Sequence, residues 1–283
     1  MKNRIVCTCV GSGDNGKTSS LIAIGYTLAA KGFPVTLIGF DPEPENNLTR
    51  LLESKAENGN RAKLTITDLL RMPWAKAGKP ADDLLSAIEE ATMRFNNIGV
   101  IRCDQDLVNY EVEGGDILGL AKVINLMRPG FILVDCAAGT GGFSMLSAVA
   151  AADHVIGVSK PSSKSIAIAR RACGLDPMDL GDGEMGSFLE QVTLTDTENG
   201  IVCAPKYLGT LGTMFIGAHE NGNGVEIAQS GISLSMRDYM TEITNIQGFL
   251  GFVPYRTGKD QRDVVKAYAA ITDRILERLG VTQ

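Results

Sequence analysis

The sequence lacks several features that would direct it to particular classes of protein. Its six cysteines include no C-x-x-C pair, and its two histidines are too few to complete a metal site with them. No N-terminal stretch has the basic, apolar and small-residue order of a signal peptide. No apolar run approaches the roughly 20 residues of a membrane span. These absences favour a cytoplasmic location, reduced thiols and no transmembrane segment.

An excess of positive charge is also missing. The net charge of −6 argues against a uniformly basic nucleic-acid binder, although a local basic face remains compatible with it. The chain has 283 residues, of which 44% are hydrophobic, and this is enough for a large α/β core. We find no internal repeat and no linker that would divide it. A single domain over residues 1–283 is therefore predicted.

One segment fills every fixed position of the phosphate-binding pattern G-x-x-x-x-G-K-[ST]. It runs from Gly11 to Thr18, directly after the apolar run Arg4–Val10, and a helical pattern follows it. The pattern predicts that Lys17 reaches the β- and γ-phosphates and that the Thr18 hydroxyl ligates Mg²⁺. The alternative is a glycine-rich turn that matches by chance. The predicted nucleotide-binding residues of this segment are Gly11, Ser12, Gly13, Asp14, Asn15, Gly16, Lys17, Thr18 and Ser19.

Apolar runs alternate with helix-like segments along the rest of the chain. The predicted strands are residues 4–10, 33–40, 98–102, 131–135, 154–159, 200–204 and 249–253. The first predicted helix starts at Lys17, has Lys31 in its last turn and is stopped by Gly32. The other predicted helices are residues 82–95, 117–127, 143–151, 163–173, 233–244 and 259–279. This alternation predicts an α/β fold with a doubly wound, mostly parallel sheet flanked by helices, of the P-loop NTPase type. Residues 176–186 and 219–224 are predicted to be surface loops.

Two aspartates each end an apolar run. Asp135 precedes a glycine-rich turn, which is the Walker B arrangement, in which an acid binds Mg²⁺ mainly through water. Alternatively, Asp135 only caps the following turn or helix. Asp41 follows the run 33–40. Since ligands bind beyond the carboxyl ends of parallel strands, both acids are expected at the same edge as the glycine-rich loop.

Several segments together resemble the ParA/MinD family of deviant Walker ATPases, which partition plasmids and chromosomes or position cell components. Residues 37–49 resemble a conserved segment of that family, and Asn47-Leu48-Thr49 match it outright. Residues 132–158 and 251–256 resemble two later segments in the same order. The resemblance therefore covers nearly the whole chain.

The resemblance implies ATP and Mg²⁺ as ligands, ATP hydrolysis that is weak without a partner, and two ATP-bound subunits that close face to face. It implies that Asp41 orients the attacking water, with Glu43 as a second carboxylate, although Glu43 could equally belong to a solvated loop. Lys17, Asp41 and Glu43 are thus the predicted catalytic residues, and Thr18 and Asp135 the predicted metal ligands. Pro254, Tyr255 and Arg256 are implied to lie near the adenine base.

One position departs from the family pattern. Ser12 stands where the family carries a signature lysine that contacts the partner's nucleotide, and a serine cannot supply that charge. Lys160 and Lys164 follow the predicted strand 154–159 and could act on a partner's phosphates instead, with Lys160 favoured. The alternative is that both are ordinary surface lysines.

Three functions remain open at this stage. The first is a partition or positioning ATPase with an adaptor protein as partner and nonspecific DNA as platform, which would associate it with the nucleoid. Its candidate DNA contacts are Arg170, Arg171, Arg256, Lys259, Arg262, Lys266, Arg274 and Arg278, unless they are engaged in ion pairs with acidic neighbours. The second is a Min-type membrane-cycling ATPase, and the third is a metabolic or maturation enzyme on the same scaffold.

Overall fold

A computed structural model describes the fold of most of the chain. It describes residues 4–13, 15–42, 48, 63–72, 82–95, 97–138, 141–181, 184–215, 236–254 and 262–281.

The described residues form twelve strands, and eight of these make up one sheet. In chain order the strands are β1 (Arg4–Val10), β2 (Val35–Phe40), β3 (Met93–Phe95), β4 (Ile98–Ile101), β5 (Gly130–Cys136), β6 (His154–Ser159), β7 (Met178–Gly181), β8 (Glu184–Gly186), β9 (Leu194–Asp196), β10 (Ile201–Cys203), β11 (Lys206–Phe215) and β12 (Phe249–Pro254). The sheet order is β12-β11-β6-β1-β5-β2-β4-β3, and every pair is parallel except β3 with β4. The other four strands form two antiparallel pairs, β7 with β8 and β9 with β10.

Helices cover both faces of this sheet. They are α1 (Lys17–Ala30), α2 (Ile66–Arg71), α3 (Asp82–Ala91), α4 (Asp106–Val112), α5 (Gly119–Leu126), α6 (Phe143–Ala151), α7 (Ser163–Ala172), α8 (Phe188–Gln191), α9 (Met236–Thr244) and α10 (Arg262–Leu279). Alternate residues of β1 divide between the two faces, because successive side chains of a strand point in opposite directions. Val6 and Val10 pack on the side of α5 and α6, and Cys7 and Cys9 pack on the side of α1 and α10.

A buried hydrogen bond joins α1 and α10, the two helices on the face of the sheet where Cys7 and Cys9 pack. The hydroxyls of Ser20 on α1 and Tyr268 on α10 lie 2.9 Å apart, and both residues are buried. Ile271, Ile275 and Leu276 of α10 are also buried, whereas Val265 is 65% exposed. The buried apolar face of α10 therefore packs in the core.

The predicted α/β sheet and its main elements are confirmed, while several local predictions were wrong. The helix predicted over 82–95 ends at Ala91, and residues 93–95 form the antiparallel edge strand β3. The loop predicted over 176–186 contains the pair β7–β8, and β10 pairs with β9 outside the main sheet. The long strand β11 was not predicted. The loop predicted over 219–224 lies outside the described residues.

Candidate nucleotide-binding site

The glycine-rich loop lies where the sequence predicts it, between the end of β1 and the start of α1. Gly11 has a φ of +156°, and a Cβ atom there would overlap the carbonyl oxygen of Val158 on the adjacent strand β6. Gly16 has φ 80° and ψ 28°, a left-handed conformation that side chains disfavour. These two glycines are therefore required by the path of the backbone.

The amino terminus of α1 has the electrostatic character of an anion site. Its N-cap residue, Gly16, provides no side-chain hydrogen bond, and the first turn contains no acidic residue. The first N–H groups of a helix have no partner within the helix, and they carry partial positive charge. Lys17 adds a cation that is only 8% exposed, and its Nζ lies 3.3 Å from the carbonyl oxygen of Ser12. Phosphate oxygens would match both the donors and the charge.

The loop is held by side chains rather than by glycine flexibility alone. Asn15 is fully buried, and its Nδ2 donates to the carbonyl oxygen of Val158 at 2.7 Å. The Ser12 hydroxyl donates to Oδ1 of Asn15 at 2.6 Å. On the other side, the hydroxyl of Thr213 on β11 hydrogen bonds to the Asn15 carbonyl oxygen. Asn15 is thus the residue through which β6 and β11 fix the loop.

Asp135 faces the start of α1 from the end of β5. The Thr18 hydroxyl donates to its Oδ1 at 3.0 Å, whereas its Oδ2 is buried with no hydrogen-bond partner among the described residues. Burial raises the pKa of the Asp135 carboxyl to about 7, against the lowering effect of the Thr18 hydrogen bond. The charge of Asp41 raises this pKa further, and Lys17 lowers it.

These residues fit Mg²⁺. A buried carboxylate oxygen without a partner is costly, and a hard cation bound directly or through water would satisfy it. Within the described residues no group of three or more His, Cys, Asp and Glu side chains is placed to hold a metal ion. A Mg²⁺ site does not need such a group, because Mg²⁺ is usually held by one or two carboxylates together with substrate phosphates and water.

Asp41 lies at the same edge of the sheet as Asp135. In the pairing of β2 with β5, Gly39 is opposite Asp135 and Phe40 is opposite Cys136, so Asp41 follows directly. It is half-buried, and its charge is close enough to affect the pKa of Asp135. The structure therefore brings together Lys17, Thr18, Asp41 and Asp135, as the sequence predicts.

The remaining predicted residues are less central or are not described. Gly13 is exposed within the loop, Ser19 is exposed in the first turn of α1, and Pro254 ends β12, three strands away from β1. Asp14, Glu43, Tyr255 and Arg256 lie outside the described residues.

Lys160 and Lys164 lie at the same edge, beyond the end of β6. Lys160 is half-buried and Lys164 is exposed in the first turn of α7. The hydroxyl of Ser165 accepts from the backbone N–H of Lys160 at 3.0 Å, and it lies 3.3 Å from the Ser12 hydroxyl. In the described part of the chain, neither lysine has an acidic partner within ion-pair distance.

Several supporting residues were missed in the sequence. Thr213 contacts the carbonyl oxygens of Asn15 and Ser159, and the hydroxyl of Tyr239 donates to Ser159 at 2.9 Å. Ser144 bridges the ends of β2 and β5. The only signal for Thr213 is the β-branched and aromatic content of residues 206–215, which is typical of a strand.

The cysteines near this site are structural. All six are free and buried. Burial raises the pKa of Cys7 to about 12 and that of Cys136 to about 11, which keeps both thiols protonated. Cys7 and Cys9 lie on one face of β1 and pack in the core there.

Three of the candidate DNA contacts are engaged elsewhere. Arg170 forms a two-pronged ion pair with Asp176, with N···O distances of 2.7 and 2.9 Å. Arg274 donates to the carbonyl oxygen of Leu250. Arg278 donates to the carbonyl oxygens of Leu208 and Gly248, at 2.7 and 2.6 Å. These guanidinium groups bind the protein itself, whereas Arg256 and Lys259 lie outside the described residues.

Comparison with known proteins gives distant relatives in sequence. No protein-family model matches the chain. The septum site-determining protein MinD of Mesostigma viride is 28% identical over 173 residues, which cover 61% of this chain and 55% of that protein. MinD of Chlorella vulgaris is 27% identical over a match of the same length. The chain thus spans about half the length of the curated relatives it matches.

Solved structures share the fold over nearly the full length. A plasmid partition protein from Borrelia burgdorferi bound to AMPPNP has a TM-score of 0.64 at 17% identity, over 98% of this chain and 99% of that one. The cell division ATPase MinD of Pyrococcus furiosus has a TM-score of 0.63 at 16% identity, over 96% and 98%. Cobyrinic acid a,c-diamide synthase from Mycobacterium smegmatis, with ADP and magnesium, has 0.64 at 16%, over 98% and 96%. At these identities the likeness concerns the fold alone.

Proposed function

We propose that this chain, a member of the ParA/MinD family, is an ATPase that binds ATP with Mg²⁺ and acts as a nucleotide-switched dimer in partition or intracellular positioning. Residues 1–283 would form one nucleotide-binding domain, since both helical layers pack on the same sheet. The expected location is the bacterial cytoplasm.

The observation that carries the proposal is the arrangement of Asp135. Its Oδ1 accepts from Thr18, its Oδ2 is buried without a partner among the described residues, and the uncapped start of α1 lies beside it. A Mg²⁺ ion bound with ATP would supply charge neutralisation on the triphosphate. Lys17 would hold the β- and γ-phosphates from within the loop, and Thr18 and Asp135 would hold the metal.

We assign the orientation of the attacking water to Asp41. A half-buried carboxylate at the end of the neighbouring strand is suitably placed to accept a hydrogen bond from water. Glu43 is proposed as the second carboxylate on the strength of the family resemblance. Turnover is expected to be slow without a partner protein, because Ser12 provides no cation for the developing charge.

A dimer that closes over the nucleotide would need a cation in place of the signature lysine. The Ser12 hydroxyl makes hydrogen bonds to the side chains of Asn15 and Ser165 of its own chain. We propose that Lys160 supplies the cation, and Lys164 is the second choice. Both lie at the carboxyl edge of the sheet, and neither has an acidic partner in the described part of the chain.

Two alternatives have specific support. The synthase from Mycobacterium smegmatis matches the fold as well as the partition protein does, which supports a metabolic enzyme on the same scaffold. The sequence relatives are MinD proteins, which supports a Min-type cycle on membranes. The burial of Tyr268, Ile271 and Ile275 weighs against using α10 as the membrane-binding helix. None of the described helices has the length and apolar character needed to cross a bilayer.

One experiment separates these functions. Size exclusion with light scattering is run with ADP, with ATP, and with ATP plus DNA, using Lys17→Ala as the control. A dimer with ATP that returns to monomer with ADP supports the switch, and a salt-sensitive DNA complex formed only with ATP supports partition. ATP-dependent flotation with anionic vesicles would instead support the Min-type cycle. A monomer in every nucleotide state that hydrolyses ATP only with a small-molecule acceptor would overturn the proposal.

A further inference from the structure

We propose that Ser144 is a positioning residue that couples the chain segments carrying Asp41 and Asp135. The inference rests on the proposed function, because the two segments are those assigned to water and to Mg²⁺. Ser144 is the second residue of α6 and is 5% exposed.

The Ser144 hydroxyl joins the ends of two neighbouring strands. It accepts from the backbone N–H of Ala137 at 3.1 Å, and it donates to the carbonyl oxygen of Phe40. Phe40 and Cys136 are the last paired residues of β2 and β5. The bridge thus extends the pairing by one step, immediately beside Asp41 and two residues after Asp135. A single hydroxyl serves as both donor and acceptor.

The same bond closes the glycine-rich turn after β5. Ala137 and Ser144 stand at the two ends of this turn, and Gly141 and Gly142 within it are exposed, with open space where a Cβ atom would lie. The bond to Ser144 therefore fixes the base of the turn at Ala137. Any displacement of the Ala137 backbone changes the hydrogen bond to Ser144, and through the hydroxyl it reaches Phe40 and Asp41.

Aromatic packing holds the bridge in place. The ring of Phe143, which precedes Ser144, lies 6.3 Å from the ring of Phe40 and 5.7 Å from that of Tyr110. Phe143 and Phe40 are both buried. The start of α6 therefore remains packed against the end of β2, and Ser144 can follow Phe40 rather than detach from it.

The helix itself offers a matched control. Ser147 lies about one turn further along α6, is fully buried, and its hydroxyl has no hydrogen-bond partner among the described residues. Ser147→Ala removes the same atom from the same helix without removing a hydrogen bond to the described residues. Ser144→Ala instead leaves the Ala137 N–H and the Phe40 carbonyl oxygen without their partner.

The test combines hydrogen exchange with kinetics. Exchange is followed in residues 37–42 and 134–138, with and without Mg·ATP, and kcat and KM are measured for hydrolysis. In the natural protein and in Ser147→Ala, Mg·ATP is expected to protect both segments. In Ser144→Ala it is expected to protect 134–138 but no longer 37–42, with kcat at least tenfold lower and KM within threefold. Ser144→Thr, which keeps the hydroxyl, is expected to restore protection of both segments.

Two results would overturn the coupling. One is a Ser144→Ala protein that matches Ser147→Ala in exchange and kcat. The other, which applies if Ser144→Ala does not fold, is a folded Ser144→Thr protein in which Mg·ATP protects only 134–138. If Mg·ATP protects neither segment in the natural protein, the proposed nucleotide function fails instead. The bridge is then judged by ligand-free exchange, which must be faster in both segments in Ser144→Ala alone.

Discussion

The hydroxyl of Thr18 donates a 3.0 Å hydrogen bond to Oδ1 of Asp135, joining the first turn of α1 to the end of β5. The two residues are 117 positions apart in the chain. Their contact leaves the second oxygen of Asp135 buried without a partner among the described residues. The bond therefore orients the carboxylate while keeping one oxygen available for a cation.

Asp135→Asn is expected to remove the magnesium-dependent part of nucleotide binding. The amide keeps an oxygen for Thr18 but lacks the negative charge that attracts Mg²⁺. We expect ATP affinity in the presence of Mg²⁺ to fall at least tenfold, which is about 1.4 kcal/mol, and affinity in EDTA to change less than twofold. Calorimetry measures both. Asp153→Asn, at the opposite edge of the sheet, is the control, and an equal loss in the two variants would contradict the assignment.

The stability of the ligand-free protein is expected to fall as pH rises from about 4 to about 7. Burial raises the pKa of Asp135 from 3.8 to about 7, so the folded state holds this proton more tightly than the unfolded state does. The contribution of Asp135 to the free energy of unfolding is therefore fully present below about pH 4, and it is lost as pH rises to about 7. Urea unfolding of the natural protein and of Asp135→Asn between pH 5 and 8 measures it. The curve of the variant should be flatter, and parallel curves would refute the prediction.

Thr213→Val tests the support of the loop from β11. The substitution preserves the shape of the side chain but removes the hydroxyl that contacts the carbonyl oxygens of Asn15 and Ser159. We expect the free energy of unfolding to fall by about 1–2 kcal/mol and ATP affinity to fall severalfold. Thr210→Val, whose hydroxyl contacts Tyr207 instead, should lower stability without lowering affinity. Equal affinities in the two variants would exclude the role of Thr213.

Lys160→Ala is expected to abolish ATP-induced dimerisation while leaving ATP binding within threefold. The reason is that its ammonium group is proposed to act on the partner's nucleotide rather than on that of its own chain. Lys164→Ala, four residues further along, is the matched control and should still dimerise. Light scattering with ATP decides between them, and a Lys160→Ala protein that forms a normal dimer would remove this residue from the mechanism.

Arg278→Ala is expected to lower the melting temperature by several degrees. Its guanidinium donates to the carbonyl oxygens of Leu208 and Gly248, and hydrogen bonds from a charged group contribute about 1.5–3 kcal/mol. Arg171→Ala on the exposed face of α7 should leave the melting temperature unchanged. Thermal unfolding of the two variants provides the comparison.

The same two variants also test the position of the basic face. If only Arg171→Ala weakens a DNA complex, the basic face lies at α7.

The elements of the site that are local in sequence could be predicted without the structure. The strand, the glycine-rich loop and α1 are consecutive, and the conformation of Gly11 and Gly16 follows from the pattern itself. Asp41 and Asp135 could be placed because each follows a buried strand of a parallel sheet. For this reason the sequence alone was enough to predict which edge of the sheet holds the site and which two acids lie there.

The contacts that support the loop could not be predicted, because they join distant residues. Thr213 is 198 positions from Asn15, and Ser144 is 104 positions from Phe40. Strand β11 was missed because Gly209 and Gly212 interrupt its pattern. The structure explains both glycines: a Cβ at Gly209 would collide with the Arg278 guanidinium, and one at Gly212 would lie 2.7 Å from the ring of Phe252.

The hydroxyl pair of Ser20 and Tyr268 has a consequence for measurement. Ser20 lies in the opening turn of α1, so a rotation of that helix would strain or break a 2.9 Å contact sealed beneath the carboxy-terminal helix. Val265, less than one turn before Tyr268, is 65% exposed. A fluorophore attached through Val265→Cys would thus test, from the outer surface of the molecule, whether filling the phosphate loop moves α1 against α10.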